Sequence, residues 1–287
     1  MLAILTRELR GYFQSPFGYI FLGFFLLLTG FFVATSNIIP GNPNYTGTLG
    51  NITFVFLIVV PIHTMRLFTE ERRQHTDQLL LTTPLKLPEI VMGKYLASLA
   101  VFIMALLVTA LYPVGLSFFG SLSGWEILGA YIGFLLLGAC FIAVGTFVSS
   151  LTENQVIAAV ITFVALLLMW IIDMVQSAVP AGKPAGIVFA ACLAAGLGAL
   201  VFFSTRNLLI TGLTGLIGAA LIVVIALLSP PFFDTFIIEF LRWFSLLERF
   251  GPFTRGILSL SPMVYYLSFC AVFLYLTVRV IDKKRWS

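Results

Sequence analysis

Arg66-Leu67-Phe68-Thr69-Glu70-Glu71-Arg72-Arg73-Gln74-His75-Thr76-Asp77-Gln78-Leu79-Leu80-Leu81-Thr82-Thr83-Pro84 is the most polar stretch of the chain. It lies between Leu49–Met65 and Tyr95–Phe119, two runs without a single Lys, Arg, Asp or Glu. A helix needs about 20 apolar residues to cross hydrocarbon, so a charged hairpin between two such runs reads as a loop between membrane crossings. Composition carries the same message. Of 287 residues 60% are hydrophobic and only 10% charged, against roughly 25% charged in a soluble domain. A soluble enzyme, a disordered chain and a disulfide scaffold are excluded. An outer-membrane barrel would need alternating strands of about ten residues, and the uncharged runs are twice that length. The fold class is all-α and polytopic.

Working outward gives eight candidate spans: Phe17–Ser36, Leu49–Met65, Tyr95–Phe119, Ile127–Leu151, Val156–Ile172, Ala185–Ser204, Asn207–Ser229 and Pro262–Val278. None holds an acidic residue, Lys or Arg; each at mid-bilayer would cost about 2.5–3.5 kcal/mol on the insertion scale. A signal peptide is the rival for the first run, but its apolar stretch exceeds the usual 7–15 residues or so, and an uncleaved anchor is expected. Eight crossings put both termini on one side. That side carries 12 of the 16 Lys and Arg residues, from Arg7 through Lys94 and Arg206 to Arg285, and the other carries Lys183, Arg242, Arg249 and Arg255. The bias predicts cytoplasmic termini.

The polar pieces come next. In residues 1–16, Ile4, Leu5, Leu9, Tyr12 and Phe13 fall near one helical face, with Arg7, Glu8, Arg10 and Gln14 facing elsewhere. This predicts an amphipathic helix along the inner leaflet, ended by Pro16; an ordinary charged lead-in is the alternative. In the hairpin of residues 66–92 no breaker intervenes from Arg66 to Leu81, so the second span is predicted to continue outward as helix. Leu79, Leu80 and Leu81 make an apolar tip, Pro84 stops the helix and Pro88 suits the first turn of the next. The tip reads either as a docking surface for a soluble partner or as a turn folded back on lipid. Ser149–Gln155 is a tight turn on the same side. In residues 230–261, Phe233, Phe236, Ile237, Phe240, Leu241, Phe244 and Leu247 form an apolar helical stripe, with Asp234, Glu239, Arg242 and Ser245 mostly off it. An external amphipathic or re-entrant helix is predicted there.

Catalytic signals are lacking. There is no GxxxxGK[ST] to cradle a nucleotide triphosphate, no HExxH and no CxxC. Gly93-Lys94 lacks the earlier glycine and the following hydroxyl residue. His63 and His75 stand without ligand spacing, and Cys140, Cys192 and Cys270 read as buried free thiols. No metal or cofactor site is expected. Glycines such as Gly129, Gly133, Gly138 and Gly145 allow close helix approach, and Pro61 and Pro113 should bend their spans.

Several blocks in order resemble the permease subunits of ABC type-2 exporters, in particular the gliding-motility-type permeases. They are Arg7-Glu8-Leu9, Tyr12-Phe13 and Ser15-Pro16; Met65-Arg66-Leu67-Phe68 with Glu70-Glu71-Arg72; Thr76-Asp77-Gln78-Leu79-Leu80-Leu81-Thr82 with Pro84; Ile90-Val91 and Gly93-Lys94; Ser149–Gln155; and Phe250, Gly256-Ile257, Val264–Ser268 and Thr277–Arg279. The resemblance covers nearly the whole chain. It implies the type V exporter fold in a bacterial plasma membrane, with an elbow helix carrying Arg7, Glu8, Arg10, Tyr12 and Phe13. It also implies a coupling helix seated on a separate ATPase, with Glu70, Glu71, Arg72, Arg73, Thr76, Asp77, Gln78, Leu79, Leu80, Leu81, Thr82 and Pro84 as its docking set. ATP and magnesium would belong to that partner, present in two copies beneath a permease dimer; membrane lipid is the other partner, and nucleic acid is none. The family's basic fold has six spans, so Ala185–Ser204 and Asn207–Ser229, within residues 185–229, are the expected additions. A non-transporting, motility-linked subunit is the alternative function. An ATP-independent channel or carrier is a third, disfavoured by spans empty of ionisable groups.

Overall fold

The protein is described by a computed structural model that covers residues 2–74, 86–178, 182–205, 216, 220 and 232–285. The described residues form helices α1 (Leu2–Gln14), α2 (Pro16–Val33), α3 (Tyr45–Ile52), α4 (Phe56–Thr64), α5 (Arg66–Arg73), α6 (Leu87–Thr109), α7 (Leu111–Leu116), α8 (Gly124–Leu151), α9 (Gln155–Ala178), α10 (Lys183–Thr205), α11 (Phe232–Phe244), α12 (Gly251–Thr254) and α13 (Leu260–Arg285). Hydrocarbon leaves a spanning backbone no partner but itself, which is why the uncharged runs become helices.

Among the described residues, six stretches are long and apolar enough to cross a membrane: Pro16–Ile38, Tyr45–Arg73, Leu87–Leu116, Gly124–Leu151, Gln155–Gln176 and Leu260–Lys283. These correspond to six of the eight expected spans. The expected Ala185–Ser204 falls within α10, which runs from Lys183 to Thr205. The expected Asn207–Ser229 lies almost wholly outside the described residues.

The chain divides into two compact units. One comprises Met1–Leu168 with Arg249–Ser287, the other Met169–Glu248. Within the larger unit the second and fourth spans are innermost: 72% and 67% of their apolar windows are buried, against 28% for the first and last. Helix α8 is apolar on every side, and its middle, from Leu137 to Gly145, is buried in protein. Its glycines admit the neighbours. A Cβ at Gly138 would overlap the Phe102 ring of α6, and one at Gly145 would overlap Thr64 of α4. Phe25, Phe56, Phe102, Phe134 and Phe141 are all buried, and Phe56 lies 4.6 Å from Phe134 and 5.6 Å from both Phe102 and Phe141, ring centre to ring centre. Outward, α9 presents Val156, Val160, Val164 and Leu168.

The prolines interrupt helices for a local reason. Each lacks an N–H and crowds the carbonyl four residues earlier. For Pro113 that residue is Thr109, where α6 stops. For Pro61 it is Leu57, just past the 3₁₀ turn Thr53–Val55. Between α2 and α3 the backbone makes a π-helical turn, Ala34–Ile38, and buried Asn37 ties it down by donating to Asn42 O at 2.8 Å and accepting from Thr48 Oγ1 at 2.6 Å.

The second unit is built on α10 and α11. Part of the predicted stripe packs inward: Phe233 is buried and its carbonyl sits where a Cβ of Gly186 would be, and Phe236 and Phe240 lie 6.1 and 5.4 Å from the Phe189 ring, whereas Phe244 is exposed and Leu247 lies past the end of α11. Ser245 donates to Asp173, also in this unit.

Candidate functional site: a polar junction under the hairpin

The second span does not run outward as one uninterrupted helix. It breaks at Met65 and resumes as α5, which ends at Arg73 with Gln74 in a turn, short of the predicted Leu81. The break leaves the first N–H groups of α5 without helical acceptors. One of them, Phe68 N–H, donates to Ser149 Oγ of α8 at 3.0 Å. The hydroxyl of Thr69 turns back to Met65 O. On the far side of the hairpin, extended Lys86 precedes α6, Pro88 occupies its first turn, and Glu89 favours the helix N-terminus.

Three helices meet at Lys94. This residue of α6 is almost completely buried, at 1% exposure. An ammonium taken out of water unpaired would cost several kcal/mol, and its three protons all find oxygen. Nζ lies 3.2 Å from Glu8 Oε1 of α1, 2.9 Å from Glu71 Oε1 of α5, and 2.8 Å from Leu67 O. Phe68 covers it, with Nζ 5.3 Å from the ring centre. Arg7 closes the array, its Nη2 at 2.7 Å from Glu8 Oε1 and 2.9 Å from Glu71 Oε1. Partial burial works to lower the Arg7 pKa, but the Glu8 and Glu71 carboxylates outweigh it and the net direction is up. Two cations and two carboxylates alternate, so charge cancels within the site and each anion is shared by two helices' cations.

A second, more open ion pair flanks it. Arg66 donates to both Glu70 oxygens, at 2.8 and 2.7 Å, and its guanidinium lies 4.8 Å over the Phe17 ring at the start of α2. A groove of about 270 Å³ runs here, lined by Glu8, Gly11, Tyr12, Phe17, Arg66 and Glu70 among others. Beneath it the buried His63 of α4 stacks on Phe21 at 4.0 Å and its Nε2 lies 3.0 Å from Ser98 O of α6. Tyr12 reaches the same place, donating to His63 O at 3.5 Å. Burial pushes the Tyr12 hydroxyl pKa well up, with the Glu8 carboxylate adding to it, so it remains a neutral donor.

The structure thus brings together Arg7, Glu8 and Tyr12 of the predicted elbow set with Glu70 and Glu71 of the predicted coupling set. Arg10 is exposed on α1, and Phe13 packs edge-on to Tyr19 at 5.8 Å. Arg72 is buried and Arg73 exposed on α5. Thr76, Asp77, Gln78, Leu79, Leu80, Leu81, Thr82 and Pro84 lie outside the described residues. One orientation is corrected. Glu8 was expected to face away from the apolar stripe, and it turns inward because the buried Lys94 ammonium needs a carboxylate. Three residues of the site escaped the sequence-derived set: Lys94, Ser149 and His63. Lys94 carries a faint signal, a cation immediately before an uncharged run. Among the described residues no group of three or more His, Cys, Asp or Glu side chains could hold a metal.

A family model described as ABC-2 family transporter protein matches residues 28–284. A search of curated proteins finds no match.

Proposed function

The chain belongs to the ABC-2 transporter family, and from that premise we propose that the Lys94 junction is where work done by a partner ATPase enters the membrane. Members of the family are the membrane component of ABC transporters and not the ATPase. In this reading both termini and the hairpin of residues 66–92 face the cytosol of a bacterial cell. The tip, Thr76–Thr82, docks into a separate ATPase subunit, two copies of which sit beneath a permease pair. ATP and magnesium are held there. The sequence of this chain offers no phosphate-cradling loop for them.

The observation that carries the reading is the ion array at the base of the hairpin. Glu71 leads into the hairpin, Lys94 leads out of it, and Arg7 and Glu8 belong to α1. A push on the tip is therefore delivered to the second span, the third span and the elbow together, not to one loop. Closure of the ATPases on ATP would tilt these elements and open the seam between permeases toward the outside. Leu79, Leu80 and Leu81 supply docking area worth about 0.8 kcal/mol per buried methylene, and the charges of α5 set orientation.

The test is Leu80→Asp. Loss of co-purification with the ATPase, and of its stimulation by the permease, is expected; both unchanged would remove the docking role. The same arrangement would serve a motility-linked complex that moves no solute, as the likeness to gliding-motility-type permeases suggests. Solute movement in vesicles holding the whole complex separates that reading from export.

A further inference from the structure

Cys140 of α8 and Cys270 of α13 are 130 residues apart in sequence, and their sulfurs lie 3.6 Å apart inside the larger unit. Each is near the middle of its helix, Gly124–Leu151 and Leu260–Arg285. Cys140 is sealed, at 0% exposure, and donates to Tyr266 O at 3.3 Å; Cys270 retains 8% exposure, and Tyr95 OH donates to its sulfur at 3.6 Å. Neither thiol belongs to the junction at the hairpin. We propose that this pair is an oxidation site, at which an apolar hydroperoxide dissolved in the membrane converts the two thiols into a disulfide that staples α8 to α13.

The geometry favours this chemistry over simple packing of two thiols. A disulfide needs a sulfur separation of about 2.05 Å, so closing the 3.6 Å gap takes under about 1 Å of movement from each sulfur. The two helices are packed against one another along their length, so the bond joins elements already in register. In the proposed membrane placement the pair lies near mid-span, so a membrane-soluble oxidant is the reagent expected to reach the exposed edge of Cys270.

The steps balance. The Cys270 sulfur attacks the terminal oxygen of the hydroperoxide, the O–O bond breaks, and the departing alkoxide takes the thiol proton to leave as an alcohol. Cys270 is then a sulfenic acid. The Cys140 sulfur attacks it, the S–O bond breaks, and the hydroxide leaves as water with the Cys140 proton. Two thiols have lost two electrons and the peroxide has gained them. The product ties the fourth span to the last one, and a thiol reductant reverses it.

The experiment uses the full chain carrying Cys192→Ala, which removes the one exposed thiol. The purified protein is treated with cumene hydroperoxide, unfolded in detergent, and labelled with a maleimide mass tag. Two tags before treatment, none after it, and two again after dithiothreitol are expected, together with a cross-linked peptide pair lighter by two hydrogens. The further variant Cys140→Ser should give no cross-linked peptide pair, because its oxidation stops at the Cys270 sulfenic acid, which a thiol reductant also reverses. Should Cys192→Ala not fold, the unsubstituted chain serves, with tags falling from three to one. Tags that survive the oxidant, or vanish without return on reduction, would overturn the proposal, as would reversible loss in the two-cysteine chain without the cross-linked Cys140–Cys270 peptide pair.

Discussion

Lys94 shows how much one side chain can demand of its surroundings. Its ammonium is held by Glu8, Glu71 and a main-chain carbonyl, and Arg7 completes the charge balance. Replacing it with Ala leaves two nearly buried carboxylates sharing one half-exposed arginine. Breaking a buried pair in this way costs about 3–5 kcal/mol. We expect Lys94→Ala to lower the thermal midpoint of the purified protein sharply, and the triple change Lys94→Met, Glu8→Gln, Glu71→Gln to recover most of that loss. Equal midpoints for Lys94→Ala and the unsubstituted chain would show that the array stabilises nothing. The sequence could not disclose this array, because the bond to Glu8 spans 86 residues and periodicity reports only neighbours on one helix. It could disclose that Arg7 and Arg10 lie off the apolar stripe of α1, since that needs nothing beyond the 3.6-residue repeat.

At the scale of elements, the spans were legible and their interruptions only partly so. Charges are too costly in hydrocarbon to be scattered at random, hence the six uncharged runs that became long helices. The stop at Arg73 was not legible, because nothing in Arg66–Leu81 breaks a helix and the break at Met65 depends on a hydroxyl from another element. Ser149 supplies it. Ser149→Ala removes the acceptor and leaves Phe68 N–H buried and unpaired, at a cost of about 1–3 kcal/mol. Hydrogen exchange should register this as faster exchange of the α5 amides, with α2 unaffected; unchanged α5 exchange would deny the cap its role. Helix α8 makes the complementary case. Gly145 faces Thr64 with no room for a Cβ, so Gly145→Ala overpacks the α4 contact. A loss of about 1–3 kcal/mol is expected, read as a lower midpoint in thermal unfolding, whereas Gly23→Ala, where a Cβ meets open space, should be neutral or stabilising.

For the molecule as a whole, composition named the solvent but not the sorting of aromatics. The 29 phenylalanines suit lipid contact and core alike, and only the packing separates Phe25, Phe56, Phe102, Phe134 and Phe141 as core. The proposed orientation rests on the sequence-derived excess of Lys and Arg on one side of the expected crossings. Lys94 belongs to that count, and its charge is cancelled by Glu8 and Glu71; even without it the asymmetry among 16 cations is large. In the proposed orientation the polar junction faces the cytosol, and the loop between Leu116 and Gly124 faces outward. Single cysteines at exposed Gln74 and exposed Ser121, in a chain whose own three cysteines are replaced, test this directly. A membrane-impermeant maleimide added to intact cells should label Ser121→Cys at once and Gln74→Cys only after the membrane is opened. The reverse pattern would put the hairpin outside, away from any nucleotide, and the proposed coupling to an ATPase would fall with it, while the ion array and the thiol pair would stand as features of the fold.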